Sequence, residues 1–479
     1  MGAFNFIGPA YTAANPMQDA QQLINWYLEI DPNPDAKSPV ALLGCPGLVS
    51  VAVGPSGGEV RGMWELPGNT RSVVVIGNTA YLFDGAILTK IGMLATSSGK
   101  VSMRDNGPAK IVAIADGSAI YSYNLTSTAW NVFGTPASRI AFIDGWFVFN
   151  DPGSQKFYTS PLYWNGSDPF DATYFALKDS SSDNLISHIE NNRELWLIGE
   201  RTTEIWYDAG NQYFPFSRLQ GATIEIGCAA KHTLCKTGKG LIWLARSNRG
   251  ENLVVMTQDY QYNPVTTPAI AYAISQYATV DDAFAYVYTE EGHSFYVLTF
   301  PTADATWVYD LTTNVWHQRA RWDADSGTFR RHKSNCAMNL AGTIYVGDYS
   351  NGTIWNMTRK AYTDGPDMLI ARRRTPHVWD KGERNRVKNT WLQIEFTPGQ
   401  GLNDGQGSDP QAMMRMSNDG GFTWGNEHSR SIGRIGEYLR RAIWRQLGMA
   451  RDRVYEVSIS DPVPRDVVGA TLRGGETRA

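Results

Sequence analysis

The stretch from Asp281 to Trp322, DDAFAYVYTEEGHSFYVLTFPTADATWVYDLTTNVWHQRARW, constrains the fold more than any other part of the chain. Its apolar positions recur every second residue, the period of a strand with one buried face and not the 3.6 of a helix. FAYVYT, SFYVLTF, TWVYD and VWHQR are rich in β-branched and aromatic side chains, which suit a pleated, half-buried surface. EEGH, PTADA and LTTN supply the Gly, Pro, Asn and Asp of tight turns. Four antiparallel strands in a meander of about 40 residues make one blade of a β-propeller.

The unit recurs. Asp84–Gly85, Asp116–Gly117 and Asp144–Gly145 punctuate three successive strand groups, and Asp-Gly is a strong hairpin signal. Their spacing is short for a blade, so some early blades are expected to lack or share a strand. Leu195–Leu197 and Ile205–Asp208 match TWVYD. The chain therefore reads as all-β: a β-propeller of six or seven blades with an N-terminal arm and a C-terminal β-sandwich-like domain. Residues 1–59 form the arm and closing strand, 60–358 the propeller, and 359–479 the C-terminal β domain with an Arg-rich segment. The arm is expected to pack on the first blade or on a neighbour, or to close the ring as an edge strand. Helix is expected at MQDAQQLINWYLEI, competes well at AIAYAISQY, and is an alternative to strand at YLRRAIWRQL.

A chain of 479 residues has room for a large repeat domain and an extra module. A net charge of −4 excludes a polycation made for nucleic acid, but the charge is unevenly placed. From Arg359 onward 20 basic side chains face 15 acidic ones, leaving the first 358 residues at −9. Cys45, Cys228, Cys235 and Cys336 form no CxxC pair and no zinc spacing, and are expected as reduced thiols. MGAFNFIGPAY lacks the basic start and apolar run of a signal peptide, and no run reaches the roughly 20 apolar residues of a membrane span. A soluble protein made in a cytosol is expected. Seven scattered His, and the absence of G-x-S-x-G, HExxH, Walker A or dinucleotide fingerprints, point to no metal, no cofactor and no catalytic residue. Asp208 and Asp310 read as turn residues and not as the facing carboxylates of a glycosidase.

Two features stand out beyond the blades. Ser417, Asp419, Gly421, Thr423 and Trp424 fit the Asp-box pattern S-x-D-x-G-x-T-W, a hairpin device in which the carboxylate bonds turn amides and Gly supplies a positive φ. Arg430, Arg434, Arg440, Arg441 and Arg445, followed by Arg451 and Arg453, form a basic stripe suited to an acidic partner surface or to phosphates. The alternative is strand-borne Arg paired with Glu437, Asp452 and Glu456. Arg372–Arg374 is a second, shorter cluster.

The C-terminal run SNDGGFTWGNEHSRSIGRIGEYLRRAIWRQLGMARDRVYEVSISDPVP resembles the packaged-DNA stabilisation proteins, the tail hub (tail accessory factor, nozzle) of short-tailed bacteriophages. NWYLEIDPNPDAKSPVALLGCPGL is similar to their start, and CKTGKGLIWLARSNRGENLVVM to one of their blades. The resemblance implies a non-enzymatic virion tail protein, assembled in the host cytoplasm, with a propeller and an accessory β domain. It implies a ring of six copies below the portal and its adaptor ring, with a distal needle or tip protein and lateral fibres or spikes as further partners. DNA would pass through the lumen without sequence-specific binding, and no membrane is involved. A channel that releases DNA should hold few phosphates, because each one neutralised adds affinity. The basic stripe, with Arg430, Arg434, Arg440, Arg441 and Arg445, is then the candidate assembly interface. The alternative is a propeller that binds or degrades glycans. It would call for repeated Asp boxes or paired axial carboxylates, and the single Asp box lies outside the blades.

Overall fold

The alternation in Asp281–Trp322 is realised as four strands, Phe284–Glu290, His293–Phe300, Ala305–Asp310 and Val315–Gln318, paired antiparallel in sequence order. The computed structural model describes residues 4–55, 57–107, 110–211, 214–381 and 385–476. Within it the same meander occurs in seven blades, whose innermost strands start at Val60, Ser102, Ile140, Leu185, Cys235, Phe284 and Ser334. The early blades keep all four strands. Blade two fits Ser102–Asp105, Ile111–Ala115, Ile120–Asn124 and Trp130–Phe133 into little more than 30 residues, because its strands are short and its turns tight. No strand is missing or shared there, contrary to the expectation drawn from spacing.

Blade seven takes its outer strand from the other end of the propeller. Gly47–Val53 runs antiparallel to Thr353–Thr358, so the ring is closed by backbone hydrogen bonds between segments far apart in sequence. The helix expected around AIAYAISQY is present as Pro268–Ser275. Thr267 caps it, Pro begins it, and Ile270 and Ile274 pack between blades five and six.

The N-terminal segment differs from its expected form. MQDAQQLINWYLEI is not helical: it forms the strands Ala20–Ile24 and Trp26–Ile30. Asn25 separates them with φ +56° and is fully buried, donating to the carbonyls of Ala320 and Ile370 and accepting from the Ala320 amide. At this point the chain passes from one sheet of the C-terminal domain to the other. Pairing on both sides outweighs a modest helix propensity. The segment therefore lies in the C-terminal domain and not on the first blade.

That domain is two packed sheets. One orders Ala20–Ile24, Ala371–Arg374, Asp452–Ile459, Gln411–Ser417 and His428–Ser431. The other orders Trp26–Ile30, Val40–Gly44, Val467–Glu476, Val387–Phe396 and Ala442–Arg445. Leu23, Trp26, Leu42, Ile394, Trp444 and Val457 fill the space between them. YLRRAIWRQL is loop and then strand, since Ala442 and Trp444 alternate inward.

Blade six is tied to the N-terminal strand by a buried histidine. His293 Nδ1 lies 2.7 Å from Asp310 and Nε2 lies 2.8 Å from Glu29. The bond to Asp310 raises its pKa to about 9, against the opposing effect of burial and with help from Glu29. A raised pKa stabilises the fold fully below the ordinary histidine value and loses that contribution as pH climbs to about 9. Thermal unfolding should therefore show a loss of about 2–3 kcal/mol between pH 6.5 and 9 that His293→Gln removes. Parallel pH profiles for the two proteins would refute the assignment.

Candidate assembly interface

The Arg-rich segment joins the two sheets of the sandwich. It leaves the edge strand His428–Ser431 and returns as the edge strand Ala442–Arg445. Buried Ile432 and Trp444 anchor its two ends, and Trp444 Nε1 donates to the His428 carbonyl at 2.6 Å. Gly433, at φ +115°, turns the chain where an added Cβ would meet the Glu437 carbonyl at 3.0 Å. Between the anchors the loop projects apolar side chains into solvent: Leu439 is 95% exposed, Tyr438 67% and Ile435 58%.

The five arginines are all exposed but do not behave alike. Arg430 donates to the carbonyls of Ile443 at 3.0 Å and Ser429 at 2.7 Å, bracing the two edge strands. Arg434 reaches Asp409 at 3.5 Å. The side chains of Arg440, Arg441 and Arg445 make no ion pair or hydrogen bond to any described residue. The acids weighed as their partners are engaged elsewhere. Glu437 accepts from the Arg434 amide, Asp452 faces His377, and Glu456 is buried among Arg372, Arg374 and Arg415. The loop thus carries free positive charge beside exposed apolar surface.

The other basic residues are structural. Arg453 is buried, bonding Asn418 and the Leu447 carbonyl. Arg373 is fully buried and donates to the carbonyls of Phe6 and Pro9 and to Gln21, holding the N-terminal segment down. Arg372–Arg374 is therefore no surface patch: alternation along its strand sends Arg373 to one side and its neighbours to Glu456 on the other.

In the Asp-box turn, Asp419 accepts from the Thr423 amide at 2.9 Å and from the hydroxyls of Ser417 and Thr423. These bonds hold its carboxyl well below the usual carboxylate range. Gly420 and Gly421 have positive φ, and Trp424 lies beneath the guanidinium groups of Arg374 and Arg415. Asp208 and Asp310 both accept turn amides, from Gly210 and Thr312.

Sequence reasoning missed Ile435, Tyr438 and Leu439. Their signal was available: three apolar residues at i, i+3 and i+4, a helix-face spacing, in a stretch where Gly433 and Gly436 disfavour a helix. Among the described residues no group of His, Cys, Asp and Glu is placed to hold a metal ion, and no helix is long and apolar enough to cross a membrane. All four cysteines are free thiols.

Two family models match the chain. One, described as Bacteriophage P22 Gp10, beta-propeller, matches residues 23–362. The other, described as Bacteriophage P22 Gp10, beta-sandwich, matches residues 371–475. No curated protein matches the chain. Among solved structures, the extracellular domain of BT4673 from B. thetaiotaomicron aligns with a TM-score of 0.44 at 8% identity, over 65% of this chain and 40% of its own length. The N-terminal domain of Nup159 aligns with a TM-score of 0.41 at 10% identity, over 71% of this chain and all of its own. This chain thus spans well under half the length of the first of these structures.

Proposed function

The chain belongs to the Bacteriophage P22 Gp10 family, which makes it a phage tail stabilisation protein of the hub that retains packaged DNA, and from that premise we propose how it is mounted. Six copies close into a ring around the DNA channel, below the portal and its adaptor ring, and carry the needle or tip protein and lateral fibres. The loop of Arg434, Arg440 and Arg441 with Tyr438 and Leu439 docks on an acidic face of the adaptor ring. The family is structural and not enzymatic.

The observation that carries this reading is the exposed loop. Unpaired arginines next to exposed Leu and Tyr have the composition of an interface anchor, since Arg and Tyr are enriched at binding hot spots. The net −9 of the first 358 residues suits a lumen that repels phosphates, while the net positive remainder suits docking.

The test is the light-scattering mass of the purified chain, alone and mixed with the portal–adaptor complex from the same genome. The chain alone should weigh 53.1 kDa, and the mixture should gain six copies. A stable hexamer of the isolated chain would overturn the proposal that the ring closes only on the portal–adaptor complex. A chain that ignores the complex would overturn the docking.

A further inference from the structure

The seven innermost strands surround the axial cavity, and every blade contributes to its wall. The wall carries cations without counter-charge. Lys100, Arg104 and Arg139 all line it, and none pairs with a carboxylate among the described residues. Arg139 is only 9% exposed, bonds the Leu234 carbonyl at 3.4 Å, and leaves its Nε without a hydrogen-bond partner. Arg104 donates to the Met103 carbonyl at 2.8 Å and lies 4.4 Å over the Trp64 ring. Lys100 Nζ bonds Asn335 Oδ1 at 2.8 Å and sits 3.4 Å over the Phe284 ring.

The two carboxylates of the wall are already engaged. Asp105 accepts from Trp64 Nε1 at 2.7 Å and from the Gly107 amide, and Glu190 pairs with Lys236 at 3.0 Å. Arg61 is likewise satisfied, by the carbonyls of Gly77, Thr96 and Gly99. Burial lowers Lys100 to about 7, and burial together with the like charge of Arg139 lowers Arg104 to about 10. Buried charge without a partner is expensive in any fold. An arriving anion would supply the missing partner.

We propose that the axial cavity is a binding site for a phosphate-class oxyanion, held by Arg139, Arg104 and Lys100. Guanidinium forks match phosphate oxygens with two parallel bonds, and a lysine adds a point charge. The volume lies within the range of small-molecule pockets, so the phosphate group can be free or carried by a nucleoside. The bound group would bridge blades two and three from inside the ring. This site does not depend on ring assembly, so it stands or falls apart from the docking reading.

The experiment titrates the full chain with sodium phosphate, and separately with AMP, at matched ionic strength in sodium chloride. Calorimetry should give one saturable site per chain, and Tm should rise with ligand by mass action. Arg139→Gln and Lys100→Gln should each weaken binding about tenfold or more, while Lys37→Gln, an exposed lysine away from the cavity wall, should not. If Arg139→Gln does not fold, Lys100→Gln and Arg104→Gln decide. Tighter binding of AMP than phosphate identifies a nucleoside phosphate, and equal or weaker binding of AMP identifies free phosphate. Equal Tm shifts in phosphate and chloride, or binding unchanged in the variants, would overturn the site.

Discussion

Replacing Glu456 with alanine will destabilise the protein by about 3–5 kcal/mol, the range for removing one partner of a buried ion pair. Glu456 sits on the central strand Asp452–Ile459 and is almost completely buried. Arg374 Nε approaches it at 2.5 Å, Arg415 at 2.6 Å and Arg372 at 3.4 Å. Burial alone would raise its carboxyl, but Arg372, Arg374 and Arg415 together hold it below the usual range. Alanine would leave three positive charges converging on an empty site. The loss is a large share of the 5–15 kcal/mol typical of whole domains. Urea unfolding should show a lower midpoint at unchanged slope. Replacing Glu456 and all three arginines with methionine should recover most of the loss, because apolar isosteres of buried ion pairs are often neutral or better. A loss below about 1 kcal/mol in the alanine variant would mean that the arginines are already well solvated.

The second large effect is on assembly. Arg440→Glu with Arg441→Glu will leave stability within about 0.5 kcal/mol, since both side chains are exposed and lack partners among the described residues. Incorporation into tails should nevertheless fall by about a hundredfold, for roughly 3 kcal/mol of like-charge contact with an acidic partner. The readout is the fraction of chain co-sedimenting with portal–adaptor complexes, with melting curves as the folding control. Normal tails from a folded double variant would remove this loop from the interface. A salt titration gives an independent check: docking of the wild-type chain should weaken as salt screens the arginines.

The propeller was legible because its information is local. In Phe284–Gln318 every strand pairs with the next one, across a turn whose residues announce it. Only strand number was misjudged, in the early blades, where short strands fit all four into little more than 30 residues. The sandwich was legible in kind but not in membership. Ala20–Ile24 pairs beyond residue 370, while Trp26–Ile30, past the break at Asn25, pairs with Val40–Gly44 in the other sheet, and no periodicity within the segment reveals that division. The same limit applies to the arginines. Composition marked the stripe, but Arg453 and Arg440 look alike in sequence, and only folding buries one and exposes the other. The axial cations carried no signal, because Lys100 and Arg139 precede their strands and share no motif.

The closure of blade seven also has a consequence in time. Gly47–Val53 leaves the ribosome about 300 residues before Thr353–Thr358, a delay of roughly 15–60 s at about 5–20 residues per second. Throughout that interval an apolar strand waits with an open edge, the state most prone to pairing with another nascent chain. Val40–Gly44 waits longer still, for Val467–Glu476. A polypeptide cut short before Val467 would complete its blades yet leave Val40–Gly44 and Val387–Phe396 without the strand they share. Those bare edges are what cellular proteases and chaperones recognise, so truncated copies would be cleared before they could enter a tail.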